Sequence, residues 1–451
     1  MTMTCYVAGV ILTTLLLSTN AFQGMKTCRR HHVSLHAASN ISADALAGKQ
    51  VLVVGGSGRV GGSVVTQIIQ RGGIVTVGAT KRDSFEKSRA RWADLFPEFS
   101  TQLQQVNFVP LNREVASSVP PQSYDLVVHT AGPFQGKIKS PNGILEACVS
   151  NKIPYVDVCD DYCTAMAAKS KYSATAKENG VPCVVSTGCW PGVSSLMAKQ
   201  LVDKVLLARP SLTPADLNVD FSFFTAGSGG AGSTLLVATF LILAEEALTI
   251  VNGRRKPVKA MEEYSIANFG PIVGDKPIAH LNLLEAASIH EALGVGSTTC
   301  KFGTAPGFWN SLLGVMARLP PTVLANEDLM TALALFSLPI VRVVDFFAGA
   351  TNAMRCDVTS DVEPTLKASA VYAHENLEPC VGECVVAFCA AVLSGSVSPG
   401  VWFPEEAISC AVDTAAVLKL ASIGAHTVEV DSTISISCVD IWGRPCSAEK
   451  L

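Results

Sequence analysis

Charge is what this chain has least of: 16% of its 451 residues are Asp, Glu, Lys or Arg, and only 7% are aromatic. Its formal net charge is −4, and its short cationic run Arg254–Lys256 reads as a solvated turn, not a basic patch, so nucleic acid is not expected as a partner. Mean hydropathy is correspondingly high, +0.35, yet no apolar run reaches the roughly 20 residues that a membrane helix needs. The longest, Cys5–Thr19, has the size of a signal-peptide core. Two later runs, Thr234–Ala244 and Leu329–Val341, end at Glu245–Glu246 and are cut by Pro339 and Arg342, so they read as buried helices. The fifteen cysteines lack zinc spacing and companion histidines. Scattered through apolar segments of a long chain, they read as small buried hydrophobes in a reducing compartment, and no metal is expected.

Acidic residues are absent before Asp44, whereas Lys26, Arg29 and Arg30 precede it. A signal-like core followed at Phe22 by a basic, acid-free segment resembles the two-part presequence of algae with secondary plastids. Residues 1–43 are therefore expected to be a targeting leader (signal peptide plus transit peptide) and the protein to reside in the plastid. Without them the chain carries no expected transmembrane span.

From Lys49 to about Val205 short apolar runs alternate with longer mixed segments, the rhythm of strand–helix repeats that build a parallel sheet. Six candidate strands (QVLVVGG, IVTVGA, VNFVPL, DLVVHTAG, YVDVC, PCVVSTG) suffice for a Rossmann doubly wound domain over 47–210. Beyond it the rhythm changes. Alternating segments near Leu217, Cys356 and Ala368, separated by helical runs and a loop with Gly227, Gly229, Gly230 and Gly232, predict a second, mixed α/β domain over 217–395. The tail, 399–451, is expected to be a helical segment packing back on the first domain, its helix starting at Pro404 with Glu405 and Glu406 in the first turn. There is no internal repeat.

Within VLVVGGSGRVGGSVV, residues Gly56, Ser57, Gly58, Arg59, Val60 and Gly61 satisfy G-x-G-x-x-G between an apolar strand and a helix, the context that makes this pattern a dinucleotide site. The second strand then ends GATKR. The carboxylate that would bind an adenosine ribose is missing, and Thr80, Lys81 and Arg82 stand in its place. Cations there, with Arg59 nearby, favour NADP(H) over NAD(H).

The series AGPF, AC and YVDV, followed by PGVSSLMA and FGTAP, resembles the saccharopine dehydrogenase-like family of NADP-binding oxidoreductases, in particular its plastid branch in plants and algae. The resemblance runs from about Lys49 to Ile423. It implies an NADP-dependent enzyme whose Ala131, Gly132, Pro133 and Phe134 border the nicotinamide. Where relatives commonly have a glycine and a glutamate after YVDV, this chain has Cys159, Asp160 and Asp161. Hydride transfer to a carbonyl or imine needs a nearby proton donor, for which Asp157, Asp161, Tyr155, His290 and Arg355 are the candidates, with Trp309 also facing the expected cleft. His129 lies inside an apolar strand and reads as an interior residue. Charged residues are sparse across the second domain: Arg254, Arg255 and Lys256 read as a solvated turn, which leaves Arg342 and Arg355 as plausible carboxylate clamps, and its apolar character fits a small or lipid-like, amphipathic substrate with a C=N or C=C bond. Two other readings stay open: a non-catalytic NADPH-binding redox sensor or scaffold, and a saccharopine-type amino-acid dehydrogenase. A homodimer and peripheral membrane contact are open as well.

Overall fold

A computed structural model describes residues 39–115, 119, 124–135, 142–227 and 233–432. Most of the leader, the Gly229, Gly230 and Gly232 positions and the tail beyond 432 lie outside the described residues. The folded unit begins earlier than the expected 47. Ser39 Oγ donates to Asp413 at 2.6 Å, and Ile41 and Leu46 are buried in the core.

Seven parallel strands make the first sheet: β1 (Gln50–Val54), β2 (Ile74–Ala79), β3 (Asn107–Pro110), β4 (Leu126–His129), β5 (Tyr155–Asp157), β6 (Pro182–Val184) and, from far downstream, β15 (Gly400–Trp402). Their order is β15-β6-β5-β4-β1-β2-β3. β1 is central, and Val51 to Val54 are all buried, as expected for a strand covered by helices on both faces. The helix Arg59–Gln70 crosses from β1 to β2 and buries Val64, Val65, Ile68 and Ile69 along one stripe. Strand order reverses between β1 and β4, so the chain diverges there and opens a crevice beyond their carboxyl ends.

The second sheet holds β7 (Leu217–Ala226), β8 (Ala247–Val251), β9 (Arg254–Val258), β10 (Ser265–Asn268), β11 (Asp275–His280), β12 (Ser297–Ala305), β13 (Thr351–Ser360), β14 (Lys367–His374) and β16 (Thr427–Ser432). Its main path is β10-β11-β12-β7-β13-β14-β16, with β8 on β12 and β9 on β8. Only β7 and β12 pair in parallel. The chain is thus an α/β protein: a doubly wound parallel sheet beside a mixed, largely antiparallel one.

Three segments depart from the expected boundaries. The helix Leu377–Leu393, placed by sequence in the second domain, packs on Arg59–Gln70, and a Cβ on its Gly382 would meet Ser63 Oγ at 2.2 Å. Being apolar on every side, it is buried from Leu377 to Val392 with few gaps. The tail is not simply helical, because β15 joins the first sheet and β16 the second. Its expected helix is also broken into Pro404–Ala407 and Ala411–Leu420, with non-helical backbone at Ile408 (φ −103°, ψ 88°).

Candidate active site

The glycine turn shapes one end of a cleft of about 800 Å³. Gly55 leaves β1 with φ +81°, where a Cβ would stand 2.8 Å from Ala131 N. A Cβ on Gly61 would lie 2.3 Å from Gly55 O and 2.5 Å from Thr130 Oγ1, so glycine alone lets the helix sit this close to the strand ends. Gly58 is the helix N-cap and no side chain caps it, which leaves the positive end of the helix facing the cleft. These features fit a pyrophosphate. Ser57, Gly58, Arg59, Val60, Gly61, Thr80 and Lys81 all line the cleft.

Two expected cofactor residues do not line it. Gly56 turns toward β2, its Cβ position 3.0 Å from Val77. Arg82, 69% exposed, reaches back to Glu86 at 3.5 Å and lies 5.6 Å over the Phe108 ring. Arg59 lines the cleft while held at 3.0 Å by Glu378, the first-turn acid of the Leu377–Leu393 helix. One contributor was missed by the sequence reading: Arg113, just past β3. Its guanidinium donates to Ala131 O and, at 3.1 Å, to Pro133 O, fixing the Ala131–Phe134 loop on the cleft wall. An arginine outside any motif gives no sequence signal for that role.

The other end of the cleft is apolar. Trp190 follows β6, Leu236 and Phe240 come from the helix Ser233–Ile242, Leu283 and Leu284 follow β11, and Phe302, Trp309 and Val341 complete the wall. Among the described residues lining this end there is no Lys or Arg.

None of the five expected catalytic side chains borders the cleft. Tyr155 is fully buried; its hydroxyl donates to Asp157 Oδ2 at 2.9 Å, accepts from Asn142 Nδ2 at 2.6 Å and lies 3.1 Å from His129 Nδ1. Asp157 accepts from the amides of Ser186 (2.8 Å) and Cys159 (3.0 Å), tying β5 to the turn after β6. Burial pushes its carboxyl up to about 6 against those hydrogen bonds. Asp161 caps the helix Tyr162–Asn179 by accepting from Thr164 N at 2.7 Å. His290 Nδ1 is satisfied by Val295 O at 2.7 Å. Arg355 grips Asp357 through two bonds of 2.6 Å in a separate polar depression on the second sheet, with Asp220, Lys256, Glu263, His280 and Lys301. Each therefore has a structural partner away from the cleft. His129, buried beside Phe134, is held neutral by burial and by Arg113, its pKa lowered to about 3. Among the described residues three acids line the cleft: Glu114, paired with Arg113 at 3.1 Å, Glu378, paired with Arg59 at 3.0 Å, and Asp160, half-buried and interacting with Gln135. Among the described residues no group of three or more His, Cys, Asp or Glu is placed to hold a metal ion.

Residues 51–184 match the saccharopine dehydrogenase NADP-binding domain. The match assigns NADP(H) as the cofactor of the glycine turn, and an NADP-binding domain of this type implies an NADP-dependent oxidoreductase. No curated protein matches the chain. Among solved structures, apo saccharopine dehydrogenase (L-Glu forming) from Saccharomyces cerevisiae aligns with 85% of this chain and all of its own at TM-score 0.56 and 13% identity, a likeness of fold. Pen from Bacillus thuringiensis (15% identity, TM-score 0.25) aligns with 31% of this chain and 50% of its own. The MalC reductase/Diels-Alderase from Malbranchea aurantiaca (12%, 0.24) aligns with 33% and 75%.

Proposed function

We propose that the protein is a plastid NADP(H)-dependent oxidoreductase acting on a small or amphipathic molecule with a C=N or C=C bond. The observation that carries this reading is the continuity of the cleft, from a glycine turn suited to a pyrophosphate to a lobe walled by Leu, Phe, Trp and Val side chains. Bound there, NADP(H) supplies or accepts the hydride. The chain's own residues hold the pyrophosphate on the helix N-terminus, place Lys81 by the ribose end, and fix the Ala131–Phe134 loop through Arg113. The apolar lobe excludes water from the reacting bond. A saccharopine-type amino acid is disfavoured, because carboxylates call for paired cations and the cations Arg59, Lys81 and Arg113 all line the nucleotide end.

The helix Glu327–Ala348 exposes Leu335, Phe336, Ile340 and Val343 while its Ser337 and Val341 line the cleft. That shared helix supports entry of an amphipathic substrate from a lipid surface. Among the described residues no helix is long and apolar enough to cross a membrane; the contact in this reading is a peripheral one. The signal-like leader supports the plastid.

The test is NADPH consumption with medium-chain enones and cyclic imines, against NADP+ reduction with saccharopine. Saturable turnover of the former is expected. NADPH binding without turnover of any would favour a sensor or scaffold, and saccharopine oxidation would restore the amino-acid dehydrogenase. Co-sedimentation with anionic vesicles, reduced several-fold by Phe336→Ser, is expected for the lipid contact; a dimer dissociated by the same change would assign that face to a second copy.

A further inference from the structure

Besides Asp160 at the cleft wall, two further acids, Glu285 and Glu405, are buried with incomplete hydrogen bonding. Asp160 follows β5 at the cleft wall, with Gln135 of the adjoining loop as its partner. Leu283 and Leu284 line the same wall, and the next residue, Glu285, turns inward and is fully buried. One oxygen of Glu285 accepts from Ser194 Oγ at 2.7 Å, while Oε2 has no protein partner. Glu405, 3% exposed, has no partner at normal hydrogen-bond geometry on either oxygen, and the Ser288 hydroxyl and its own backbone amide are the donors acting on it. Each acid acts on the next: Asp160 and Glu405 both repel charge on Glu285, and Glu406 repels charge on Glu405. Glu406 is about a quarter exposed and clasped by Lys169 Nζ at 2.6 Å.

An unpaired buried carboxylate is costly, and a carboxyl so placed keeps its proton instead. Burial pushes Asp160 up to about 6 and Glu285 and Glu405 up to about 7. Asp157 and Asp161 also face Asp160 and oppose its ionisation; Lys169 is the cation facing Glu405.

We infer that Asp160 is the catalytic proton donor and acceptor of this cleft. The inference rests on the oxidoreductase reading above. In the reductive direction the substrate carbon takes the hydride, the second atom of its double bond takes the Asp160 proton, and the π bond is lost. The O–H bond of Asp160 breaks and leaves a carboxylate. Solvent in the cleft then returns a proton to Asp160, so one solvent proton enters per reduction. Oxidation of the substrate runs the same step in reverse.

The experiment needs no substrate, because the oxidised nicotinamide ring carries a positive charge that the reduced ring lacks. A carboxyl beside that ring releases its proton when NADP+ binds and keeps it when NADPH binds. Calorimetric titration of the purified protein at pH 6.0, in buffers of different protonation enthalpy, counts the protons. For a group of pKa about 6 lowered by about one unit, NADP+ should release roughly 0.4 proton more than NADPH. Titration of the 2′-phosphate is common to both and cancels. Asp160→Asn should bind both nucleotides and abolish the difference. No difference in the parent protein, or one that survives Asp160→Asn, would overturn the assignment; failure of either nucleotide to bind would instead overturn the NADP(H) reading.

Discussion

At the nucleotide end of the cleft the walls are mostly backbone: Gly55 at φ +81°, the bare amides of the first turn after Gly58, and a helix that Gly61 lets approach within a Cβ radius of Thr130. At the substrate end the walls are side chains, contributed by segments that begin at Trp190, Leu235, Leu281, Phe302 and Ser337. Backbone walls depend on a few residues that cannot be anything but glycine, whereas side-chain walls depend on many residues of which none is individually required. One end should therefore fail abruptly under substitution and the other by degrees.

The sharpest break is expected from Gly61→Ala. Its methyl group would stand 2.3 Å from a backbone oxygen, and overpacking of this kind costs about 1–3 kcal/mol. Relief requires the helix to move off the phosphate site, so NADPH affinity by calorimetry should fall at least a hundredfold and the melting temperature should drop. Leu236→Ala in the opposite wall should leave NADPH affinity within about twofold, since truncation there opens space without moving backbone.

The next largest effect concerns the buried acids behind the substrate end. Glu285 and Glu405 titrate near 7 in the folded protein, above the ordinary carboxylate value. The native state thus holds protons that the unfolded chain has lost, and stability falls as pH rises through the interval from about 4.5 to about 7, then levels off. Each group should forfeit roughly 2–3 kcal/mol between pH 4.5 and 8. Thermal melts from pH 5 to 8 should show this decline, and Glu285→Gln with Glu405→Gln should flatten it and raise the melting temperature at pH 8. An equally steep decline in the double variant would show that the carboxyls are not held protonated.

The same contrast explains what was legible in the sequence. The turn from Val54 to Gly61, the six strands that frame it and the cofactor were readable because a tight turn and a parallel strand impose residue types at fixed spacing. The strand β15 was not, since Gly400–Trp402 is too short for periodicity to register and acquires its place only by pairing with β6. The Arg355–Asp357 pair was foreseeable, because residues two apart on a strand share a face. Which acid after β5 faces the cleft was not. Asp157 is the last strand residue, and past it alternation no longer applies: Asp157 turns into the core, Asp161 caps a helix, and Asp160 between them reaches the cleft. The substrate lobe is illegible for a further reason, because its leucines and tryptophans carry the same signal as any buried helix.

The finest discrimination lies between two adjacent cations at the nucleotide end. Lys81 and Arg82 are equally plausible partners of a 2′-phosphate by sequence, yet only Lys81 lines the cleft, as the N-cap residue of the helix that begins at Arg82. Arg82 is turned onto Phe108 and Glu86. Loss of a charge-assisted contact to phosphate should lower NADPH affinity about tenfold in Lys81→Ala, worth about 1.4 kcal/mol, with NADH affinity unchanged because NADH has no 2′-phosphate. Arg82→Ala should change either affinity by less than about twofold, the scale of a screened surface pair. If Arg82→Ala lost NADPH selectivity and Lys81→Ala kept it, the Arg82 side chain would have to leave Phe108 when the nucleotide binds, and this part of the nucleotide end would be formed by the ligand, not prepared for it.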